Sequence, residues 1–274
     1  MLHLKFFKNT YANLSSYFLL GLILMAIVVP VFSSVDPNAF DPNQIAEPEA
    51  PSLTHWFGTD DLGRDLFIRC VVGARVSLMV GFISVGISIL IGIMIGLTAG
   101  YWGRWIDEIF MRFIDLFMAV PSIFLILAIQ VLLTPSIYNV MVVIGLTSWM
   151  GVARMIRAEV LRIKSEPFVT ACRARGIFGL RLVCKHMLPH TLQPIIVSAM
   201  LGMGAAILTE SVLSYLGLGV QPPHASWGNM LENSLSYMGD APWMAIIPGL
   251  LITLTVLSLN FIGDGLRAKL NPRE

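Results

Sequence analysis

Eight of the chain's 18 basic residues stand within 36 positions: Arg154, Arg157, Arg162, Lys164, Arg173, Arg175, Arg181 and Lys185, against only Glu159 and Glu166. Long apolar runs flank them on both sides. Their chemistry is electrostatic, suited to holding a partner or an anionic lipid surface. Bond-breaking chemistry has no comparable candidate. The sequence has no Gly-x-x-x-x-Gly-Lys-Ser/Thr loop to cradle phosphates, no His-Glu-x-x-His pair and no Gly-x-Ser-x-Gly elbow. His3, His55, His186, His190 and His224 are scattered, and Pro189 interrupts the one pair four apart, so packing is expected there and no metal site. Cys70, Cys172 and Cys184 are odd in number and form no CxxC, against a disulfide framework or zinc site. The chain reads as a non-enzyme.

Three acids, Asp115, Glu210 and Asp264, lie at the edges of apolar runs. A charge at the bilayer centre costs about 2.5–3.5 kcal/mol, and the cost falls toward the edges. Spacing pairs Asp115 with Arg112 and Asp264 with Arg267, each at i,i+3. An ion-coupled carrier would need a relay deeper in its spans; a membrane scaffold would need only the basic stretch.

Within that stretch, Ser165-Glu166-Pro167 is a helix start: a capping hydroxyl, an acid in the first turn and a proline where no N–H is needed. Gly176 is the stop. The segment between, about Glu166–Gly176, comprises Glu166, Pro167, Phe168, Val169, Thr170, Ala171, Cys172, Arg173, Ala174, Arg175 and Gly176. Phe168, Ala171, Cys172 and Arg175 fall on one face by the i, i+3, i+4, i+7 rule. Ala171, Cys172 and Ala174 keep the helix slim enough to enter a groove on another protein. A return helix, about Gly179 to Leu188, leads back to the bilayer, and Pro189 ends or kinks it.

The elements that must position this helix are membrane spans. The 274 residues are 56% hydrophobic and 13% charged, with mean hydropathy +0.76; soluble domains carry about 25% charge. The sequence predicts an all-α integral membrane protein with six transmembrane helices: about Leu14–Val35, Val76–Tyr101, Phe113–Leu133, Tyr138–Val152, Thr191–Thr209 and Trp243–Gly263. The first is too long for a signal-peptide core and reads as a retained span. No charge lies between Asp115 and Arg154; as one helix this run would measure about 57 Å at 1.5 Å per residue, so Thr134-Pro135-Ser136 must break it into two. The fourth span continues as helix into the polar stretch. Ser84, Ser88, Gly92, Gly96 and Gly100 recur every fourth residue on the second span and predict a helix-packing seam. Thr59 reads as the N-cap of a short helix through Asp61 to Arg69. The division expected is 1–70, the first span and its outer loop, and 71–274, a five-span core with a cytoplasmic loop at 154–190.

Orientation follows from the basic residues. With both termini cytoplasmic, the inner side holds Lys5, Lys8, Arg104, Arg112, the eight of the basic stretch, Arg267, Lys269 and Arg273; the outer side holds only Arg64, Arg69 and Arg75. The first outer loop carries Asp36, Asp41, Glu47, Glu49, Asp60, Asp61 and Asp65 instead.

The core Thr170-Ala171-Cys172-x3-Gly176-x9-His186-x-Leu188-Pro189 resembles the "EAA" loop of bacterial ABC-importer permeases, Glu-Ala-Ala-x3-Gly-x9-Ile-x-Leu-Pro. Gly58-Thr59-Asp60-Asp61-Leu62-Gly63-Arg64-Asp65 is similar to an extracytoplasmic hallmark of the second permease of oligopeptide, dipeptide and nickel importers. Leu213–Leu231 and Asn260–Arg273 are similar to that family's last outer loop and C-terminal signature. Thr170, Cys172 and His186 depart from the motif, so no particular ion pair is carried over to position 170. The resemblance implies a type I permease fold in a bacterial inner membrane. It also implies a homologous permease as heterodimer partner and two ATPase subunits that bind ATP and Mg. The helix near Ala171 would dock on one of them, with Leu188 and Pro189 returning the chain. An extracytoplasmic binding protein would deliver solute. The implied cargo is short peptides, with nickel or a metal chelate as the alternative. This chain itself would bind no cofactor, metal or nucleic acid, and lipid would surround it.

Overall fold

A computed structural model describes residues 9–32, 36–39 and 47–270. Lys5, Lys8, Asp41, Arg273 and the Ser33–Val35 end of the first expected span lie outside the described residues. Every regular element described is helical: α1 Thr10–Phe32, α2 Leu66–Trp102, α3 Arg104–Met118, α4 Ser122–Val131, α5 Ile137–Lys164, α6 Pro167–Ala174, α7 Gly179–Leu182, α8 Leu188–Tyr215, α9 Trp227–Met230 and α10 Trp243–Leu270. Among the described residues, five helices are long and apolar enough to cross a membrane, and six spans result if α3 and α4 count as one.

That third span is not the single rod expected over Phe113–Leu133. α3 and α4 meet at 79°. Pro121 brings no N–H to the ladder and disfavours helical geometry at Val120, so the helix breaks there. The second span begins earlier than expected, at Leu66, because Asp65 caps it: its Oδ1 accepts the Ile68 N–H at 2.9 Å. Thr59 is not a cap; its hydroxyl accepts the Glu49 N–H at 2.7 Å and pins the outer loop instead. A division at residue 70 falls inside α2. Pro189 neither ends nor separates the return helix. A π turn over Val183–Met187 absorbs it, and Gly179–Tyr215 runs on as one rod of 37 residues.

α2 is the axle: it packs along α5 and also meets α8 and α1, while α10 closes the bundle against α8 and α1. Ser84, Ser88, Gly92, Gly96 and Gly100 are all buried. A Cβ on Gly92 would stand 2.6 Å from Val152 Cγ1, on Gly96 2.6 Å from the Ala153 carbonyl and on Gly100 2.7 Å from Val160 Cγ1. Ser84 donates to the Met141 carbonyl at 3.0 Å. Close approach along this face sets the α2–α5 distance. Pro30 within α1 leaves the Ala26 carbonyl without its partner one turn on, and the Arg75 guanidinium of α2 donates to that carbonyl.

Candidate functional site

The basic stretch is an elbow rather than a polar loop. Arg154 to Lys164 form the last turns of α5, and two of those cations are committed to α3: Arg157 to Asp107, with one contact at 2.6 Å, and Arg154 to Asp115. The expected Arg112–Asp115 pair does not form, and Arg112 lies 4.0 Å from Glu108. Sequence spacing sees only neighbours on one helix, and here the neighbouring helix supplies the partner. Likewise no ion pair within 4.0 Å joins Asp264 to Arg267 among the described residues. Arg162 bridges Glu159 and Glu166 at 2.6 and 3.0 Å. Arg175, Arg181 and Lys185 are exposed and Arg173 is half-exposed.

α6 begins at Pro167 with Glu166 at its N-cap position. Ser165 does not cap it; its hydroxyl donates to the Arg162 carbonyl at 2.7 Å and closes α5. The helix stops through a paired glycine termination. Ile177 N–H reaches the Cys172 carbonyl at 3.0 Å and Gly176 N–H the Arg173 carbonyl at 2.9 Å, with Gly176 at φ 75°.

The two faces of α6 differ sharply. Val169 is fully buried in a cluster with Leu97 of α2, Ile156, Val160 and Ile163 of α5, and Leu182, Val183 and Met187 of the return. Phe168 and Cys172 pack beside it, and the Phe168 ring lies 4.7 Å from that of His190. Pro167, Thr170, Ala171 and Ala174 are exposed and follow the i, i+3, i+4, i+7 spacing of one helix face. The expected face of Phe168, Ala171, Cys172 and Arg175 is therefore divided: Phe168 and Cys172 turn inward, Ala171 and Arg175 outward. Nothing longer than threonine stands on the outward stripe. Tyr101, at the end of α2, fastens both ends of the elbow: its carbonyl accepts from Lys164 Nζ at 2.8 Å and its hydroxyl from the Gly179 N–H at 2.9 Å. Leu188 is half-buried against the cluster and Pro189 sits exposed in the first turn of α8.

The outer motif is a knot. Gly58 takes φ 77°, and a Cβ there would meet the Glu49 carbonyl at 2.5 Å, so glycine is required. Asp60 Oδ1 accepts from the Leu62 and Arg64 N–H groups, each at 3.0 Å. Its Oδ2 faces Arg64 Nε at 2.7 Å and Arg69 Nε at 3.2 Å, the latter an ion pair without hydrogen-bond alignment. Gly63, at φ 70°, donates to the Asp60 carbonyl. Asp65 holds His55 at 2.9 Å besides capping α2, and Trp243 of α10 donates to the Thr59 carbonyl at 3.2 Å.

Glu210 is the residue whose surroundings sequence reasoning misjudged. It is fully buried rather than at a wet span end. Ser214 donates to Oε1 at 2.7 Å and Ser77 to Oε2 at 3.4 Å. The outer loop closes over it: Val220 N–H reaches Ser214 Oγ at 3.0 Å, and the Trp227 indole donates to the Cys70 carbonyl at 2.9 Å. Ser211 and Ser214, on the same helix end, were the available signal. Among the described residues, no group of three or more His, Cys, Asp or Glu is placed to hold a metal.

Residues 92–274 match the family of binding-protein-dependent transport system inner membrane components. Residues 3–51 match the N-terminal transmembrane domain of oligopeptide transport permease C. The chain is 42% identical to a dipeptide transport system permease protein of Alkalihalophilus pseudofirmus, over 97% of this chain and 87% of that one. It is 38% identical to an oligopeptide transport system permease protein of Bacillus subtilis, over 98% and 88%. An inward-facing structure of a methionine ABC transporter superposes with TM-score 0.59 at 19% identity, covering 74% of this chain and 97% of that one; this likeness concerns the fold.

Proposed function

The chain belongs to the family of binding-protein-dependent transport system inner membrane components, and from that premise we propose that it is one of two homologous permease subunits of an importer for short peptides, driven by two ATPase subunits, one of which docks on α6. It is a multi-pass inner-membrane component without catalytic activity of its own. The relatives' names support the peptide cargo. Nickel or a metal chelate is the alternative cargo, less favoured because the relatives' printed names are those of dipeptide and oligopeptide permeases.

The observation that carries the docking role is the two-faced α6. Its inward valine is packed against α2, α5 and the return rod, while its outward stripe is slim, and Arg173 and Arg175 at its end and Arg181 and Lys185 on the return segment are at least partly exposed. A cleft on an ATPase subunit can receive such a helix, and these cations favour an acidic rim. Force applied to α6 reaches the bundle through packed side chains, since close-packed interiors transmit displacement instead of absorbing it. α5 and the Gly179–Tyr215 rod are the two levers, both rooted at the elbow. ATP binding would close the two ATPases, shift both levers and alternate access. Release inside then requires a lower affinity for cargo in the inward-open state.

Ala171→Trp tests this. The side chain points to solvent, so folding is expected to survive, while the added ring keeps α6 out of a narrow cleft. The expected outcome is loss of ATP-driven uptake in proteoliposomes holding the full assembly, with ATPase subunits no longer copurifying. Unchanged uptake by that variant would contradict the docking assignment.

A further inference from the structure

Two spaces meet between α5 and α8. The deeper, about 410 Å3, is bounded by α2, α4, α5 and α8. The second, about 680 Å3, opens at the cytoplasmic end between α5, α8 and α10. Both are lined by Ser198 and Leu201, so they form one groove. Its α8 wall runs from Gln193 to Thr209, about 24 Å at 1.5 Å per residue. That is most of a hydrocarbon core of about 30 Å.

The lining changes along its length. The deep part carries no charged side chain, and Glu159, Arg162 and Arg267 appear only at the cytoplasmic mouth. Among the described residues, the hydroxyls of Ser88 on α2, Ser122 on α4, Ser148 on α5 and Ser198 on α8 have no protein hydrogen-bond partner. Other span hydroxyls fold back on the carbonyl four residues earlier, as at Thr98, Thr147, Ser211 and Thr253, and two on the groove itself are satisfied by the bundle, Ser84 by the Met141 carbonyl and Thr209 by the Ala205 carbonyl. Four hydroxyls on four different helices are left open around the same space. The break at Pro121 is what brings Ser122 to that space, at the start of α4.

We infer that this groove is this chain's half of the solute path, and that Ser88, Ser122, Ser148 and Ser198 bind the main chain of a peptide in transit. The inference rests on the peptide-importer reading above. A hydroxyl both donates and accepts, so it suits the alternating N–H and C=O groups of a peptide whatever its side chains. The uncharged deep wall offers no counter-charge to select or trap a particular side chain. Few, separate hydroxyl contacts also keep binding weak enough for release. The charged mouth then hydrates cargo as it leaves.

The test uses the complete assembly in proteoliposomes with its binding protein, and isotope-labelled tetra-alanine as the probe. Ser148→Phe, which fills the groove from an exposed position, is expected to abolish uptake in an assembly that elutes as the unmodified one does. Ser148→Ala combined with Ser198→Ala is expected to reduce uptake without abolishing it. Ser148→Cys and Ser198→Cys are each expected to react with a membrane-impermeant methanethiosulfonate, above the labelling of the unmodified chain. Full uptake by Ser148→Phe, or no labelling at either cysteine while tetra-alanine uptake is intact, overturns the groove. Failure of the unmodified assembly to take up tetra-alanine overturns the peptide reading itself, and labelling then still reports whether the groove is aqueous.

Discussion

At the outer end, Asp60 receives two backbone N–H groups and faces two guanidiniums, and Trp243 ties the same turn to α10. At the inner end, α6 is held by one fully buried valine, two half-buried neighbours and the two contacts of the adjoining segments to Tyr101. The outer loop is fixed by directional bonds that permit little sliding. α6 itself rests on apolar packing around Val169, which is non-directional, and hydrogen bonds tether the elbow only where it joins α5 and the return helix, so α6 can pivot while staying attached. Under the proposed drive through α6, that asymmetry would give an inner lever a firm outer frame to work against.

The contrast can be broken at either end. Asp60→Ala is expected to have the largest effect on stability. It leaves Arg69 buried without its carboxylate, and breaking a buried pair costs about 3–5 kcal/mol; thermal unfolding in detergent would show it, and a shift no larger than that of an exposed pair would refute the knot. Gly96→Leu comes next. Its side chain would run into the Ala153 carbonyl, and overpacking costs about 1–3 kcal/mol; the same melt measures it. Val169→Ala should cost about 1.5 kcal/mol at about 0.8 kcal/mol per buried carbon group, yet it should loosen the lever, so the ratio of peptide imported to ATP hydrolysed falls more than stability does. Arg162→Ala should be smallest: its ion pairs are exposed, and such pairs contribute about 0–1 kcal/mol.

The physics that could be read in sequence was local. Pro167 and Gly176 bracket α6 because each acts on its own backbone, and small residues every fourth position share a helix face in any setting. Partnerships between distant segments stayed hidden. Asp115 turned to Arg154 across a helix pair, and Thr59 bonded back to Glu49 while Asp65 capped α2. Pro121 broke the third span, which hydropathy alone reads as continuous. Glu210 drew no notice as a buried group because its shell comes from α2 and from the loop closing over it, as well as from its own helix.

The most direct measurement is a photo-crosslinking amino acid at position 171, irradiated in the intact assembly within native membranes. An adduct between this chain and a nucleotide-hydrolysing subunit on the cytoplasmic side is expected. An adduct with the extracytoplasmic binding protein, or with lipid alone, would contradict the docking assignment.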